Sequence, residues 1–141
     1  MLYLARNLFN KEKSDNLKKR LILSPEWVDG KVSTVGSEVK RNLQLNHCEE
    51  KTKLTNEIIE AIENESLVNS FTFLSKIFNV LFTRTGVGMY YGPHVDSPHL
   101  PTGRRDLSFT IFLNNPSEYD GGELILYIPP ETKKIKLNQG D

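Results

Sequence analysis

Residues 106–114, DLSFTIFLN, alternate without a break: Leu107, Phe109, Ile111 and Leu113 share one side, Ser108, Thr110 and Phe112 the other. A strand is the regular structure that this period suits, with one face for a core and a polar-edged face free to line a pocket. Three neighbours, FNVLFTRT, GELILYI and KKIKLN, read as further strands, and the separators GVG, NNPSEYDGG and PPET carry turn chemistry. Short strands spaced in this way predict an antiparallel sandwich or barrel over about residues 70–141.

The first half, about residues 1–69, follows a mixed pattern. KTKLTNEIIEAIENES places Leu54, Ile58 and Ile62 at four-residue spacing, with Ile59 widening the stripe, and predicts a helix. LSPEWVDG predicts a short helical turn ending at Gly30, with Ser24 as cap and Pro25 at the first helical position. The charged run NKEKSDNLKKRL fits a frayed helix or a solvated linker, and MLYLARNLFN a first strand or docking segment. The fold class is therefore α+β, mainly β, in one domain over 1–141. A chain of 141 residues has length enough for a core without staples.

Charge narrows the partners. Eighteen basic residues balance eighteen acidic ones, so no global field favours nucleic acid or an anionic membrane surface, and no run is apolar enough to span a bilayer. Cys48 is the single cysteine, which points to a reducing, cytoplasmic setting.

The chemistry concentrates in YYGPHVDSPH, residues 90–99. On a strand, His94 and Asp96 would project to the same side and present an imidazole and a carboxylate to one point. They would supply two of the three protein ligands of a 2-His-1-carboxylate site, which suits non-haem Fe(II). The bland alternative is a strand histidine hydrogen-bonded to its neighbour, and spacing alone does not separate the two. His47, beside Cys48, has no metal spacing, and His99 reads as a loop histidine.

Context separates them. YYGPHVD, RRDLSFTIFLN, YDGGELIL and KLNQGD occur in the order and spacing of the PKHD-type hydroxylases, which the chain resembles; WVDGKV and RNLQLN look like that family's N-terminal portion. The resemblance implies a double-stranded β-helix, or jelly roll, incomplete at the C-terminus and with N-terminal helices, and a prolyl 4-hydroxylase-like dioxygenase. Fe(II) would be the metal, 2-oxoglutarate the cosubstrate and ascorbate an accessory cofactor. It makes His94 and Asp96 iron ligands and puts Tyr91 on the pocket rim, as a cosubstrate contact or a half-buried strand tyrosine. Ser108, Thr110 and Phe112 would line the 2-oxoglutarate cavity. Gly121 and Gly122 read as devices of a turn or bulge, Glu123 as a surface or structural hydrogen-bonding group, and Arg105 with Asp106 as an ordering pair at a strand start.

The family's second iron histidine, and the arginine or lysine that grips 2-oxoglutarate, have no counterpart up to Asp141, so the sequence reads as a fragment, a truncated product or part of a split gene. The substrate expected is a prolyl or lysyl side chain of a protein, or a small molecule. The competing reading is a metal-free jelly-roll module with a binding or structural role. Zinc fits less well, because two protein ligands make a poor structural zinc site.

Overall fold

The computed structural model describes residues 7–34 and 37–141. In chain order come α1 (Lys11–Leu23), β1 (Trp27–Asp29), a 3-10 turn (Gly30–Ser33), β2 (Lys40–Arg41), β3 (Leu43–Leu45), α2 (Glu49–Asn64) and α3 (Ser66–Thr72). Then follow β4 (Thr83–Arg84), β5 (Tyr90–Tyr91), β6 (His99–Leu100), β7 (Gly103–Arg104), a second 3-10 turn (Pro116–Glu118), β8 (Leu124–Ile128) and β9 (Glu131–Ile135). They group into two units, Met1–Leu23 with Thr110–Asp141, and Ser24–Phe109. No helix among the described residues is long and apolar enough to cross a membrane. Of the expected N-terminal strand or docking segment, residues 1–6 lie outside the described residues.

In the first unit the charged run is a helix. Asn10 caps α1, its Oδ1 accepting from the Lys13 N–H at 2.9 Å, a contact whose loss typically costs about 1 kcal/mol. Ser14, Leu17 and Leu21 form the buried stripe, so the many charges lie on the wetter faces. β8 and β9 pair as an antiparallel hairpin from Leu124 opposite Ile135 to Ile128 opposite Glu131, closed through Pro129–Pro130. Gly121 and Gly122 both stand at φ +68° before it, a left-handed conformation that suits glycine, as a turn there requires.

The KLNQGD block ties this unit together. Lys136 Nζ donates to the Tyr119 carbonyl at 2.6 Å and sits 4.0 Å from that ring's centroid. Gln139 Nε2 donates to Asp15 Oδ1 on α1 at 2.9 Å. Gly140, at φ +91°, accepts from the Phe9 N–H at 3.1 Å and donates to the Phe112 carbonyl at 2.8 Å. The buried Asp141 accepts from the Asn7 N–H through Oδ1 at 2.9 Å.

In the second unit α2 matches its expected stripe, with Leu54, Ile58 and Ile62 buried. Cys48 is its cap, Sγ accepting from the Lys51 N–H at 3.3 Å, and Glu49 and Glu50 complement the helix dipole in the first turn. Among the described residues, Leu45 and Phe82 complete the buried apolar set of this unit, each contributing about 1.5–3 kcal/mol. β3 lies between β1 and β4 in an antiparallel sheet, and β2 pairs with β5, β6 with β7.

Two expectations need correction. LSPEWVDG is not a helical turn: Ser24 Oγ does accept from the Glu26 N–H at 3.3 Å, but Trp27–Asp29 then pair with Leu43–Leu45 as β1, and helical turning begins at Gly30. Ladder pairing with β3 overrode a local cap signal. DLSFTIFLN forms no ladder among the described residues, and Leu107 and Phe109 on its supposed core face are exposed. Alternation states which side is apolar, while a ladder also needs a neighbour to take the N–H and C=O groups. The described strands form four separate sheets in a mixed helix and sheet chain, without the two continuous sheets of a complete jelly roll.

Candidate metal centre

The strand pair β2–β5 sets the site up. Lys40 stands opposite Tyr91 and Arg41 opposite Tyr90, and the Gly92 N–H carries the pairing one step further by donating to the Val39 carbonyl at 2.7 Å. Pro93 has no N–H to continue it, so the chain leaves the ladder just before His94. His94 and Asp96 therefore lie in irregular backbone and not on the strand that the sequence suggested. The alternation survives: Val95 is fully in solvent, and its two neighbours face each other.

His94 Nε2 and Asp96 Oδ1 are 3.6 Å apart. That separation is too long for a hydrogen bond, but two donors each about 2.1 Å from one ion stand about 3–4 Å apart. The other ring nitrogen, Nδ1, is 2.9 Å from the Gly92 carbonyl, which can only accept. The proton of a neutral ring thus belongs on Nδ1, and Nε2 turns its lone pair toward Asp96. The ring plane is fixed as well, since Tyr91 stacks on it at 3.9 Å between centroids and 11° between planes.

Asp96 is held from its other oxygen. Ser108 Oγ donates to Oδ2 at 2.5 Å, leaving Oδ1 toward His94. Arg105 Nη2 stands 3.9 Å from Oδ1, and its guanidinium is anchored on the Ser97 carbonyl through Nη2 at 2.7 Å and Nε at 3.1 Å. A hydrogen bond from a metal-ligating imidazole to a carbonyl, and one from a hydroxyl to a ligating carboxylate, are the supports that metal sites use to orient their ligands. The donor set fits Fe(II), as one nitrogen and one oxygen of an incomplete facial triad.

Among the described residues no group of three or more His, Cys, Asp or Glu side chains could hold a metal. His99 is exposed in β6 opposite Arg104, on a strand and not in a loop, and His47 is exposed ahead of α2. Of the expected cosubstrate residues, Tyr91 and Ser108 stand at the pair, Ser108 with its hydroxyl committed to Asp96. Thr110, exposed, and Phe112, half-buried, belong to the other unit. The expected ordering pair is shifted by one residue: Asp106 takes Arg104, whose Nε lies 2.6 Å from Oδ1, and leaves Arg105 to Ser97 and Asp96. Sequence reasoning assigned Arg105 and Ser108 other roles and gave Lys40 none. A cleft of ≈ 340 Å³ opens beside β2, lined in part by Lys31, Lys40, Arg41 and Tyr90, and contains neither His94 nor Asp96.

Residues 80–141 match the model of the 2OG-Fe(II) oxygenase superfamily, a span that includes the site. A PKHD-type hydroxylase of Prochlorococcus marinus strain MIT 9301 is 42% identical over 100% of this chain and 66% of its own length. The chain belongs to the PKHD-type hydroxylase family. Similar relatives come from strain NATL2A, 43% identical over 97% of this chain and 60% of that protein, and from strain SARG, 49% identical over 81% and 53%. The chain thus spans between about half and two thirds of the length of these curated relatives.

Proposed function

We propose that this chain carries the metal-binding part of an Fe(II)- and 2-oxoglutarate-dependent dioxygenase that hydroxylates a C–H bond of a prolyl or lysyl side chain, or of a small molecule. The observation behind this reading is the approach of His94 Nε2 to Asp96 Oδ1, each oriented by a partner of its own. Ferrous iron bound there would supply oxygen chemistry that couples decarboxylation of 2-oxoglutarate to hydroxylation.

The residues do the positioning. Gly92 keeps the His94 proton on Nδ1, Tyr91 fixes the ring plane, Ser108 turns Oδ1 of Asp96 inward, and the Arg105 cation offsets negative charge at that carboxylate. Residues 1–141 read as part of one such domain, since the MIT 9301 relative aligns over the full chain. The zero net charge supports a protein or small-molecule substrate in preference to nucleic acid or a membrane, and the single cysteine a reducing, cytoplasmic setting. Ascorbate would be an accessory reductant.

The second reading, a metal-free binding or structural module, draws on the same site, where two protein ligands and not three converge among the described residues. Anaerobic addition of Fe(II) and 2-oxoglutarate discriminates. A visible charge-transfer band, lost in His94→Ala and in Asp96→Ala, is the expected result. Absence of any band in the wild-type chain, and in the chain completed with the C-terminal third of a relative, would favour the metal-free module.

A further inference from the structure

Lys40 is 2% exposed and heads the fully buried side chains by volume, an unusual place for an ammonium. Burial lowers its pKa, and the charge of Asp29 opposes that shift. Among the described residues no carboxylate lies within ion-pairing distance of Nζ. Its partners are neutral: Nζ donates to Ser33 Oγ at 2.7 Å and reaches Gln44 Oε1 at 3.4 Å. It also lies 5.0 Å from the centroid of the Tyr91 ring, the ring on which His94 stacks.

Stability does not account for this lysine. Ser33 Oγ already donates to Gln44 Oε1 at 2.7 Å, so both acceptors have each other without it. An unbranched apolar side chain would occupy the same space without the cost of burying a charge, and such replacements are often neutral or stabilising. What an apolar chain lacks is attraction for the negative face of an aromatic ring.

We propose that Lys40 is a positioning residue for His94, acting through Tyr91: the buried ammonium, opposite Tyr91 in the β2–β5 register, holds the ring against which the imidazole is aligned. The inference rests on the reading of His94 as a metal ligand and extends it from the residues touching that ligand to the next layer. Lys40 touches neither metal nor substrate. Its effect is on the orientation of Nε2.

The test uses the full chain as wild type, Lys40→Met, Lys40→Arg and Tyr91→Leu, with circular dichroism to establish folding. Two quantities are read: the NMR signals of the His94 ring without metal, assigned by their loss in His94→Gln, and the dissociation constant for Mn(II), an air-stable stand-in for Fe(II). Stacking on Tyr91 shifts the ring protons upfield in the wild type. Lys40→Met and Tyr91→Leu lose that shift and bind Mn(II) about 10-fold more weakly, while Lys40→Arg, which keeps the cation, restores both. If Lys40→Met does not fold, Lys40→Gln, neutral but able to hydrogen-bond, is read in its place. An unchanged ring signal and Mn(II) affinity in a folded neutral variant would overturn the inference, as would failure of Lys40→Arg to restore them. Loss of the upfield shift in Lys40→Met supports it even if the wild type takes up no Mn(II), a result that overturns only the metal reading.

Discussion

Replacing Gly140 with alanine should destabilise the unit formed by α1 and the β8–β9 hairpin, and the structure sets the size of the effect. Gly140 stands at φ +91°, and an added methyl would overlap the Phe9 carbonyl oxygen and come within 2.8 Å of Ser14 Oγ. The backbone conformation alone costs alanine about 2 kcal/mol. Relieving the overlap displaces the Phe9 segment and loosens the bonds from Phe9 N–H to Gly140 and from Gly140 N–H to Phe112, about 1 kcal/mol each. The stiffer unfolded chain returns about 0.7 kcal/mol, leaving a net loss of about 3 kcal/mol. Gly121→Ala is the control, because its φ of +68° carries the conformational cost with no atom within 4 Å of the new methyl, and about 1 kcal/mol is expected. Urea denaturation followed by circular dichroism measures both. Equal losses at the two positions would refute the steric argument.

Three further predictions rest on single contacts. Ser108→Ala should weaken Mn(II) binding about 10-fold in a calorimetric titration, with the melting temperature unchanged, because it frees Asp96 Oδ2. Glu118 is held at about 2, below the usual 4.5, chiefly by the Lys18 ammonium at 2.6 Å and then by the Asn114 amide and the Asn115 N–H. Since the folded value is the lower one, its contribution is complete above pH 4.5 and disappears as pH falls toward 2. The full shift corresponds to about 3 kcal/mol, which partial exposure reduces to about 1 kcal/mol; acid denaturation of Glu118→Gln should lack that increment between pH 4.5 and 2. Cys48→Ser should stabilise α2 by about 0.5 kcal/mol in thermal melts, since a hydroxyl is the better cap for the Lys51 N–H.

What the sequence made legible was local and periodic. The Leu54, Ile58 and Ile62 stripe became the buried face of α2 because a single helix can declare its own inward side. Gly121 and Gly122 announced a turn, and the structure puts both in the left-handed region. DLSFTIFLN misled, because its alternation could not say which strand would pair with it. Trp27–Asp29 misled in the other direction, because a cap and a proline outlined a helix that pairing with β3 displaced. At the site, the two-residue spacing of His94 and Asp96 did foreshadow their approach, although Pro93 takes them off the ladder. Lys40 lies far from Tyr91 in sequence order, and their meeting depends on the β2–β5 register, which no local pattern records.

The central claim is that His94 and Asp96 converge on one ion, and pulsed electron paramagnetic resonance of the Mn(II)-loaded chain tests it most directly. The account predicts modulation from a directly coordinated imidazole nitrogen, lost in His94→Ala, with Asp96→Ala greatly reducing Mn(II) uptake. Bound Mn(II) whose nitrogen modulation persists in His94→Ala would place the ion elsewhere and contradict it.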